Sequence, residues 1–91
     1  MRCEWDETKR RSNIKRHGID FVVAEKVFAG ATITVLDDRF DYDETRFLTF
    51  GLLNEWVVAI SHAETDEVVR VISFRKASKH EEETYFKKTQ D

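Results

Sequence analysis

The stretch RVISFRKASKHEEETY, residues 70–85, combines a strand-like segment, two adjacent cations and a helix-like segment that carries an aromatic hydroxyl. Arg75 and Lys76 stand where the strand pattern ends, and Tyr85 follows ten residues after Arg75. The planar guanidinium of arginine can bind two phosphate oxygens at once. A tyrosine can donate a hydrogen bond or stack on a base. An ion-paired surface arginine, a solvated lysine and a tyrosine that anchors the helix are the structural alternatives.

A second group of polar side chains lies on the predicted first helix, WDETKRRSNIKRHGI, which Asp6 can cap. Lys9, Asn13 and His17 follow one another at intervals of four residues and therefore share one face. The ordinary pKa of histidine, near ~6.5, suits proton transfer, and a helix-end cap is the alternative for His17. The helix has few apolar residues, so this face, with Arg16 beside it, indicates either a binding surface or a plainly exposed one.

The remaining segments predict how these residues are positioned. DFVVAEKVFAG predicts a second helix with helical apolar spacing, capped by Asp20 and ended by Gly30. ATITVLD, RFLTFGLL, EWVVAISH and EVVRVISFR predict four strands, and their short connections favour antiparallel neighbours. A last helix begins at Ser78, with Glu81 at capping-box spacing. Together with a short optional first strand, this order predicts an α+β domain, with helices on one face of an antiparallel sheet.

Two further cations lie within the predicted strands. Arg46 alternates with Leu48 and Phe50, and Arg70 alternates with Ile72 and Phe74, so both share faces with apolar residues. Each can contact a substrate phosphate, or it can pair with an acid at the rim of the strand. Glu44 and Glu55 are the acids available for such pairs, and His62, near the end of a strand, is expected to make a structural hydrogen bond.

Composition limits the class of protein. A chain of 91 residues with 41% hydrophobic and 36% charged residues predicts a single folded domain over 1–91. No window approaches the roughly 18 apolar residues of a membrane span, and the N-terminal residues do not resemble a signal peptide. The lone Cys3 leaves no internal disulfide, so we expect a reduced, cytoplasmic chain. Residues 1–19, 20–67 and 68–91 carry net charges of +3, −8 and +2, so basic ends flank an acidic middle. The two ends can converge in one positive patch or remain separate solvated helices.

The acidic segment DDRFDYDET invites a metal-site interpretation, but a calcium loop beginning at Asp37, Asp41 or Asp43 would lack the glycine needed at its sixth position. Three histidines and one cysteine show no zinc spacing. A glycine-rich phosphate loop and a serine-nucleophile motif are also absent from the sequence. We therefore expect no metal and no cofactor.

Three motifs in order carry a resemblance to a known family. EWDETKRRSNIKRHGIDFVVAEKVF, RFLTFGLL and RVISFRKASKHEEETY resemble the signature segments of the BrnT toxins along essentially the whole chain. The resemblance implies a ribonuclease toxin of a bacterial type II toxin–antitoxin pair, with a fold related to the RelE group. It implies RNA as the substrate and a BrnA-like antitoxin with a ribbon-helix-helix-type domain, through which alone operator DNA would be bound.

Metal-independent RNA cleavage needs a base for the attacking 2′-hydroxyl, an acid for the leaving 5′-oxygen and cations around the phosphate. We expect these catalytic roles at Arg75, Tyr85, His17 and Arg46. The residues expected to contact RNA are Lys76, Lys9, Asn13, Arg16 and Arg70.

One departure from the family pattern defines the alternative function. The family is usually rich in arginine where this chain reads SKHEEE. If Glu81, Glu82 and Glu83 fill the basic patch with ion pairs, the chain would serve mainly as an antitoxin-binding module of a DNA-binding repressor. If they point away, the ribonuclease interpretation is favoured. A free-standing interaction domain is the third interpretation.

Overall fold

The computed structural model describes residues 2–39 and 43–90, so the predicted acidic loop is described except at positions 40–42. The strands are β1 Arg2–Trp5, β2 Ile33–Leu36, β3 Phe47–Leu53, β4 Trp56–Glu64 and β5 Val68–Lys76, and the helices are α1 Glu7–His17, α2 Ala24–Phe28 and α3 Lys79–Thr89. The strands form one sheet in the order β1-β5-β4-β3-β2. The predicted α+β class is confirmed. None of the described helices is both long and apolar enough to cross a membrane.

The sheet differs from the antiparallel sheet of four strands that the sequence predicts. The optional first strand is present as β1, and it pairs parallel with β5, with Cys3 opposite Val69 and Trp5 opposite Val71. The other neighbouring pairs are antiparallel, which makes the sheet five-stranded and mixed. Pairing of β1 brings the ring of Trp5 edge-on to Phe21, with 6.2 Å between the ring centroids. Packing of this partly buried ring against the core stabilises so short a strand in the sheet.

The second predicted helix is divided into two parts. Residues Phe21–Val23 form a 3-10 turn, and the α-helix proper is the short α2. Asp20 caps the turn, because its carboxylate accepts the N–H of Val22 at 3.1 Å, and the same carboxylate accepts two N–H groups of Arg10 at 2.8 Å. Phe21, Ala24 and Val27 are buried, as their helical spacing predicts. Because of the split helix and the mixed sheet, the RelE-like details that we expected do not match completely.

The main core lies between one face of the sheet and the N-terminal helical segments. It joins Ile19, Phe21, Ala24 and Val27 with four strand residues, Val58, Ile60, Val71 and Phe74. Asp6 caps α1 by accepting the N–H of Lys9 at 3.1 Å, and Gly18, with φ +71°, ends the helix in the left-handed conformation. These local signals fix where α1 begins and ends, as the sequence predicts.

The helix α3 lies on the other face, so the expectation that all helices share one face is wrong. Val57 and Ala59 alternate with the core residues of β4 and are nevertheless buried, at 3% and 1% exposed. Arg75 is the register partner of Ala59 and is bonded to Glu81 of α3. Since partners in register point to the same face, this contact places α3 over the face of Ala59. A buried apolar surface on both faces of β4 therefore requires helices on both sides of the sheet.

A β-bulge changes the face of Arg70. The register passes from Ser61 opposite Ser73 to His62 opposite Val71, so Ile72 is an extra residue in β5. Beyond the bulge, Arg70 stands opposite Ala63, whereas Phe74 stands opposite Ile60 in the core. The predicted alternation of Arg70 with Phe74 is therefore wrong, because the inserted residue moves Arg70 to the face that α3 occupies.

Candidate functional site

The side chain of Asn13 attaches α1 to the edge of β5. Its Oδ1 accepts the backbone N–H of Phe74 at 3.0 Å, and its Nδ2 donates to the carbonyl oxygen of Phe74 at 2.8 Å. The same Nδ2 also donates to the carbonyl oxygen of Ile19 at 3.0 Å. Since β1 pairs only with Val68–Val71, the amide of Asn13 takes the place that a further strand residue would occupy beside Phe74.

This contact corrects the prediction of an RNA-binding column on α1. Asn13 is only 6% exposed, so the face that it shares with Lys9 and His17 is turned toward the sheet at its centre. Lys9 is exposed at one end of that face, and His17 is half-buried at the other. A helix with few apolar residues is thus held by a buried amide, and the polar face that sequence spacing indicates is a docking face.

The guanidinium of Arg75 lies at the corner where β5 ends and α3 begins. Its NH1 and NH2 donate to Oε1 and Oε2 of Glu81 at 2.8 and 3.1 Å, and NH1 also donates to the carbonyl oxygen of Lys76 at 3.2 Å. No hydrogen bond within residues 2–39 and 43–90 engages the Nε–H of Arg75. The edge formed by Nε and NH2 therefore keeps donors for a further ligand, and the side chain is 28% exposed.

Glu81 is fixed from two directions. Its carboxylate accepts the backbone N–H of Ser78 at 2.8 Å, and its own N–H donates to Oγ of Ser78 at 3.2 Å, which completes the predicted capping box. The hydrogen bonds from Arg75 are the main reason why the pKa of Glu81 is lowered to about 2. Glu82 and Glu83, by contrast, are exposed. One of the three glutamates therefore pairs with Arg75, and the other two do not.

His17 lies at the end of α1, one turn beyond Asn13, and the charge of Arg75 affects the pKa of its imidazole. Burial is the main cause that lowers the pKa of His17 from its ordinary 6.5, followed by the charges of Arg16 and Arg75. Arg16 itself is exposed. The corner therefore brings together cations from both basic ends of the chain and a histidine that is more readily neutral than usual.

Lys76 and Trp56 complete the corner. The Nζ atom of Lys76 lies 3.8 Å from the centroid of the Trp56 ring, within cation–π distance. Trp56 is 50% exposed at the start of β4. Sequence reasoning missed this residue, because nothing in the local pattern distinguishes a surface tryptophan from a core one.

Tyr85 occupies the position of an anchor. Its side chain is 2% exposed, and its hydroxyl donates to the carbonyl oxygen of Ala31 at 2.8 Å. Phe86, the next residue, is 36% exposed. The side of α3 that faces the sheet therefore carries Tyr85 together with Glu81, one turn apart. The catalytic prediction for Tyr85 would require a hydroxyl that is free to reach a substrate, so we leave Tyr85 out of the site.

Arg46 and Arg70 form a separate group around Glu44. Arg70 is bonded to both carboxylate oxygens of Glu44, and the Nε atom of Arg46 lies 4.0 Å from Oε1 of Glu44. Arg70 is level with Ala63 of β4, whereas Arg75 is level with Ala59. At roughly 3.3 Å per residue, this offset separates the two arginines by about 13 Å along the sheet. The structure thus does not bring Arg46 together with Arg75 and His17 as we expected.

A cavity lies beside this second group. It has a volume of about 300 Å³ and is lined by Glu4, Glu44, Thr45, Ala63, Glu64, Thr65, Val68 and Arg70. No group of three or more His, Cys, Asp or Glu side chains in the described part of the chain could hold a metal ion. Asp41 of the predicted acidic loop lies outside the described residues.

His62 is fully buried within β4 instead of standing at a strand end. Its Nε2 lies 2.7 Å from Oγ1 of Thr49, which in turn lies 2.7 Å from Oγ1 of Thr34. The rings of Phe28 and Phe47 pack on the imidazole at centroid distances of 5.2 and 5.8 Å. Burial lowers the pKa of His62 to about 4. The expected structural hydrogen bond is confirmed. Alternation of His62 with Ile60 and Val58 is the sequence signal for its burial.

A comparison with protein-family models decides the family. The model described as "Ribonuclease toxin, BrnT, of type II toxin-antitoxin system" matches residues 5–81. The chain belongs to the BrnT family. The match begins at Trp5, the last residue of β1, and runs through α1 and the other four strands to Glu81 of α3, so the resemblance found in the sequence is confirmed. Membership in a type II family implies an antitoxin partner for this BrnT chain. A search of curated proteins finds no match to it.

Proposed function

We propose that this BrnT chain is an endoribonuclease toxin that cleaves RNA at the Arg75 corner without a metal ion. The observation that carries the proposal is the guanidinium of Arg75, which has a donor edge turned away from Glu81 and lies near a half-buried histidine of lowered pKa. A phosphate-binding fork beside a neutral imidazole is a suitable arrangement for attack by a ribose hydroxyl on its own phosphate.

In the proposed reaction, the Nε–H and NH2 groups of Arg75 bind two nonbridging oxygens of the scissile phosphate. The neutral imidazole of His17 accepts the proton of the 2′-hydroxyl, whose oxygen attacks the phosphorus. The bond to the 5′-oxygen breaks, and this oxygen leaves with a proton taken from solvent. The products are a 2′,3′-cyclic phosphate and a 5′-hydroxyl end. Lys76 and Arg16 supply further positive charge for the RNA backbone.

Charge stabilisation rather than strong base catalysis is the main contribution we assign to the corner. Arg75 meets the developing negative charge of the phosphate with two parallel hydrogen bonds, and it does so from a side chain already held by Glu81 and by the carbonyl oxygen of Lys76. A group held in this way needs little reorganisation when the charge develops. Arg46 and Arg70, about 13 Å away along the sheet, are left to contact more distant phosphates or the antitoxin.

A second candidate function follows from the same ion pair. Because Glu81 occupies two N–H groups of Arg75, it competes with phosphate for the guanidinium. In the second candidate, the chain acts mainly as the toxin half of a repressor complex, binds a BrnA-like antitoxin with a ribbon-helix-helix-type domain and cleaves RNA weakly. The relative affinity of Arg75 for the carboxylate and for the phosphate separates the two candidates.

The experiment is cleavage of a defined single-stranded RNA by purified wild type, with Arg75→Ala prepared in parallel to reveal contaminating nuclease. We expect fragments with 2′,3′-cyclic phosphate ends, equal rates with magnesium and with a chelator, and loss of cleavage in Arg75→Ala. RNA that stays intact under both conditions contradicts the ribonuclease proposal and supports the binding module. Cleavage that disappears with the chelator contradicts the metal-independent mechanism alone.

A further inference from the structure

Trp56 lies at the surface, at the same end of the sheet as the proposed phosphate site. It directly follows the two-residue turn of the β3–β4 hairpin, where Asn54 adopts a φ of +57°. Asparagine tolerates this left-handed conformation better than most residues, so the turn can be tight. Trp56 pairs with Leu53 across the hairpin, yet half of its surface is exposed. A large aromatic ring is therefore presented to solvent at the start of a paired strand.

Lys76 connects this ring to Arg75. The backbone N–H of Ala77 donates to the carbonyl oxygen of Val57 at 2.9 Å, which holds the end of β5 beside the start of β4. Beside this hydrogen bond, the ammonium of Lys76 lies 3.8 Å from the Trp56 ring centroid. The backbone carbonyl oxygen of Lys76 accepts a hydrogen bond from Arg75. The ring and the ammonium form one strip on the core face of the sheet, because Lys76 is the register partner of the core residue Val58. The guanidinium of Arg75, the partner of Ala59, lies at the same strand end on the opposite face.

We propose that Trp56 is a stacking platform for one unpaired base of a single-stranded RNA, while Lys76 holds the phosphate beside that base and Arg75 holds a further phosphate where the same strand crosses the end of the sheet. Proteins that bind single strands combine cations along the backbone with aromatic rings that stack on successive bases, and the strip at this corner has both components. The proposal rests on the proposed function, because it takes RNA as the ligand of the Arg75 corner. It adds the substrate class: a strand with an unstacked base, rather than a duplex.

Charge favours RNA over a protein surface as the occupant of this strip. Either occupant of the Trp56 ring must displace the ammonium that lies over it. An RNA strand pairs the displaced ammonium with a phosphate, whereas an apolar protein segment leaves it desolvated and unpaired. Trp56 is also exposed, whereas Leu53, its partner across the hairpin, is partly buried and packs against the core. A contact with the antitoxin is the alternative that the experiment must separate.

The experiment uses Trp56 as its own reporter. In a Trp5→Phe background, Trp56 is the sole tryptophan, and its fluorescence is followed during titration with a 2′-O-methyl RNA oligonucleotide, which cannot undergo attack by its own 2′-hydroxyl. An abasic oligomer of the same length supplies the phosphates without bases. We expect saturable quenching by the base-bearing strand, little quenching by the abasic strand, and weaker quenching when Lys76 is replaced by alanine.

Binding is measured in parallel by the anisotropy of a labelled oligonucleotide, with circular dichroism as the test of folding. We expect Trp56→Leu to raise the dissociation constant roughly five- to a hundredfold, and Trp56→Phe to raise it far less, because phenylalanine keeps an aromatic face. Trp56→Phe is therefore the matched control, and Trp56→Leu is the test, since leucine keeps an apolar side chain and removes only the aromatic ring.

Four outcomes are decisive. Unchanged RNA affinity in a folded Trp56→Leu variant overturns the platform, and a Trp56→Leu variant that loses only its antitoxin assigns the ring to the protein partner instead. A wild type that binds and is quenched by the 2′-O-methyl strand but does not cleave unmodified RNA supports the platform and contradicts the ribonuclease proposal. Full cleavage efficiency in Trp56→Leu contradicts the platform and leaves the ribonuclease proposal intact.

Discussion

The carboxylate of Glu81 meets the guanidinium of Arg75 along one edge and leaves the other edge open. The two hydrogen bonds, of 2.8 and 3.1 Å, use NH1 and NH2, whereas Nε–H points away from the pair. The same carboxylate closes the capping box at Ser78, so the first turn of α3 and the arginine are held by one group. A glutamate that the sequence analysis set against phosphate binding therefore also orients the arginine proposed to bind phosphate.

Acid should weaken the fold through Glu81. Its pKa is lowered to about 2 in the folded chain from an ordinary 4.5, so the unfolded chain takes up the proton first as the pH falls. The stability from this pair is complete above about pH 4.5 and is lost between about pH 4.5 and about pH 2. Urea unfolding across this range should show a shallower pH dependence for Glu81→Gln than for wild type. The exposed Glu82→Gln is the control, and parallel curves for wild type and Glu81→Gln would exclude the effect.

Replacing Asn13 should destabilise the fold more than any other change on α1. Asn13→Ala leaves the N–H and carbonyl of Phe74 and the carbonyl of Ile19 without the amide that bonds them. A buried polar group left unpaired costs about 1–3 kcal/mol, so we expect a loss of at least about 2 kcal/mol. Thermal or urea unfolding measures this loss, and the adjacent, exposed Ser12→Ala is the matched control. A loss equal to that of Ser12→Ala would mean that water replaces the amide at no cost.

Local signals in the sequence predict the ends of elements, and the structure confirms them. The helix caps are Asp6, Gly18 and Ser78, and each forms its capping hydrogen bond with a residue three or four positions away. Their roles therefore follow from neighbouring residues along the chain. The period-2 pattern likewise finds β3, β4 and β5, because alternation is a property of each strand alone. The family, and with it the coarse function, follows from three motifs that together cover most of the chain.

Non-local contacts decide what the sequence does not predict. The amide of Asn13 is paired with a strand residue 61 positions away, so its spacing on α1 cannot distinguish a docking face from a binding face. The face of Arg70 depends on the bulge at Ile72, which arises from pairing with β4. The gathering of Arg75, His17 and Trp56 likewise depends on how three separate elements pack, and sequence alone predicted the first two as separate candidates and omitted the third.

Gly51 should be intolerant of any side chain, whereas Gly30 should accept alanine. A Cβ at Gly51 would lie 2.6 Å from Cγ1 of Val27 and 3.1 Å from Cγ2 of Thr32. Val27 is buried and branched, so it cannot move aside freely, and overpacking of this kind costs about 1–3 kcal/mol. At Gly30 the nearest atom, the carbonyl oxygen of Val27, would be 3.7 Å away. Unfolding of Gly51→Ala and Gly30→Ala compares the two positions, and equal stabilities would contradict the tight approach of α2 to β3.

His62 should make the fold sensitive to mild acid, at a higher pH than Glu81. Burial lowers its pKa to about 4 from an ordinary 6.5, so the unfolded chain binds the proton first and stability falls between about pH 6.5 and about pH 4. His62→Gln should reduce this slope, although it lowers stability overall because the buried site at Thr49 is disturbed. Urea unfolding from neutral pH to about pH 4 measures the slope, with the exposed His80→Gln as control. An NMR titration that gives His62 a pKa near 6.5 would contradict its burial in the neutral form. The carboxylate of Glu64, 3.5 Å from Nδ1 of His62, is the group that could produce such a value.

Removing Arg75 should change both the rate of RNA cleavage and the titration of His17. Loss of a preorganised donor to a developing charge typically lowers the rate about 10²–10³-fold, so we expect a loss of this size in kcat/KM for Arg75→Ala. Arg75→Lys should recover little, because an ammonium cannot form two parallel hydrogen bonds to a phosphate.

The change in the pKa of His17 tests whether Arg75 and His17 belong to one site. The charge of Arg75 lowers the pKa of His17, so Arg75→Ala should raise that pKa, and Arg16→Ala should raise it more, since Arg16 acts more strongly on the imidazole. NMR titration of the imidazole measures both shifts, and the acidic limb of the cleavage rate should move to higher pH in Arg16→Ala, which keeps the phosphate-binding guanidinium. Lys15→Ala removes a cation of the same turn that does not perturb His17 and is the control. If the pH dependence of the cleavage rate stays the same while the pKa of His17 changes, His17 is not the general base. The ionisation of a general base must appear in the pH dependence of the rate.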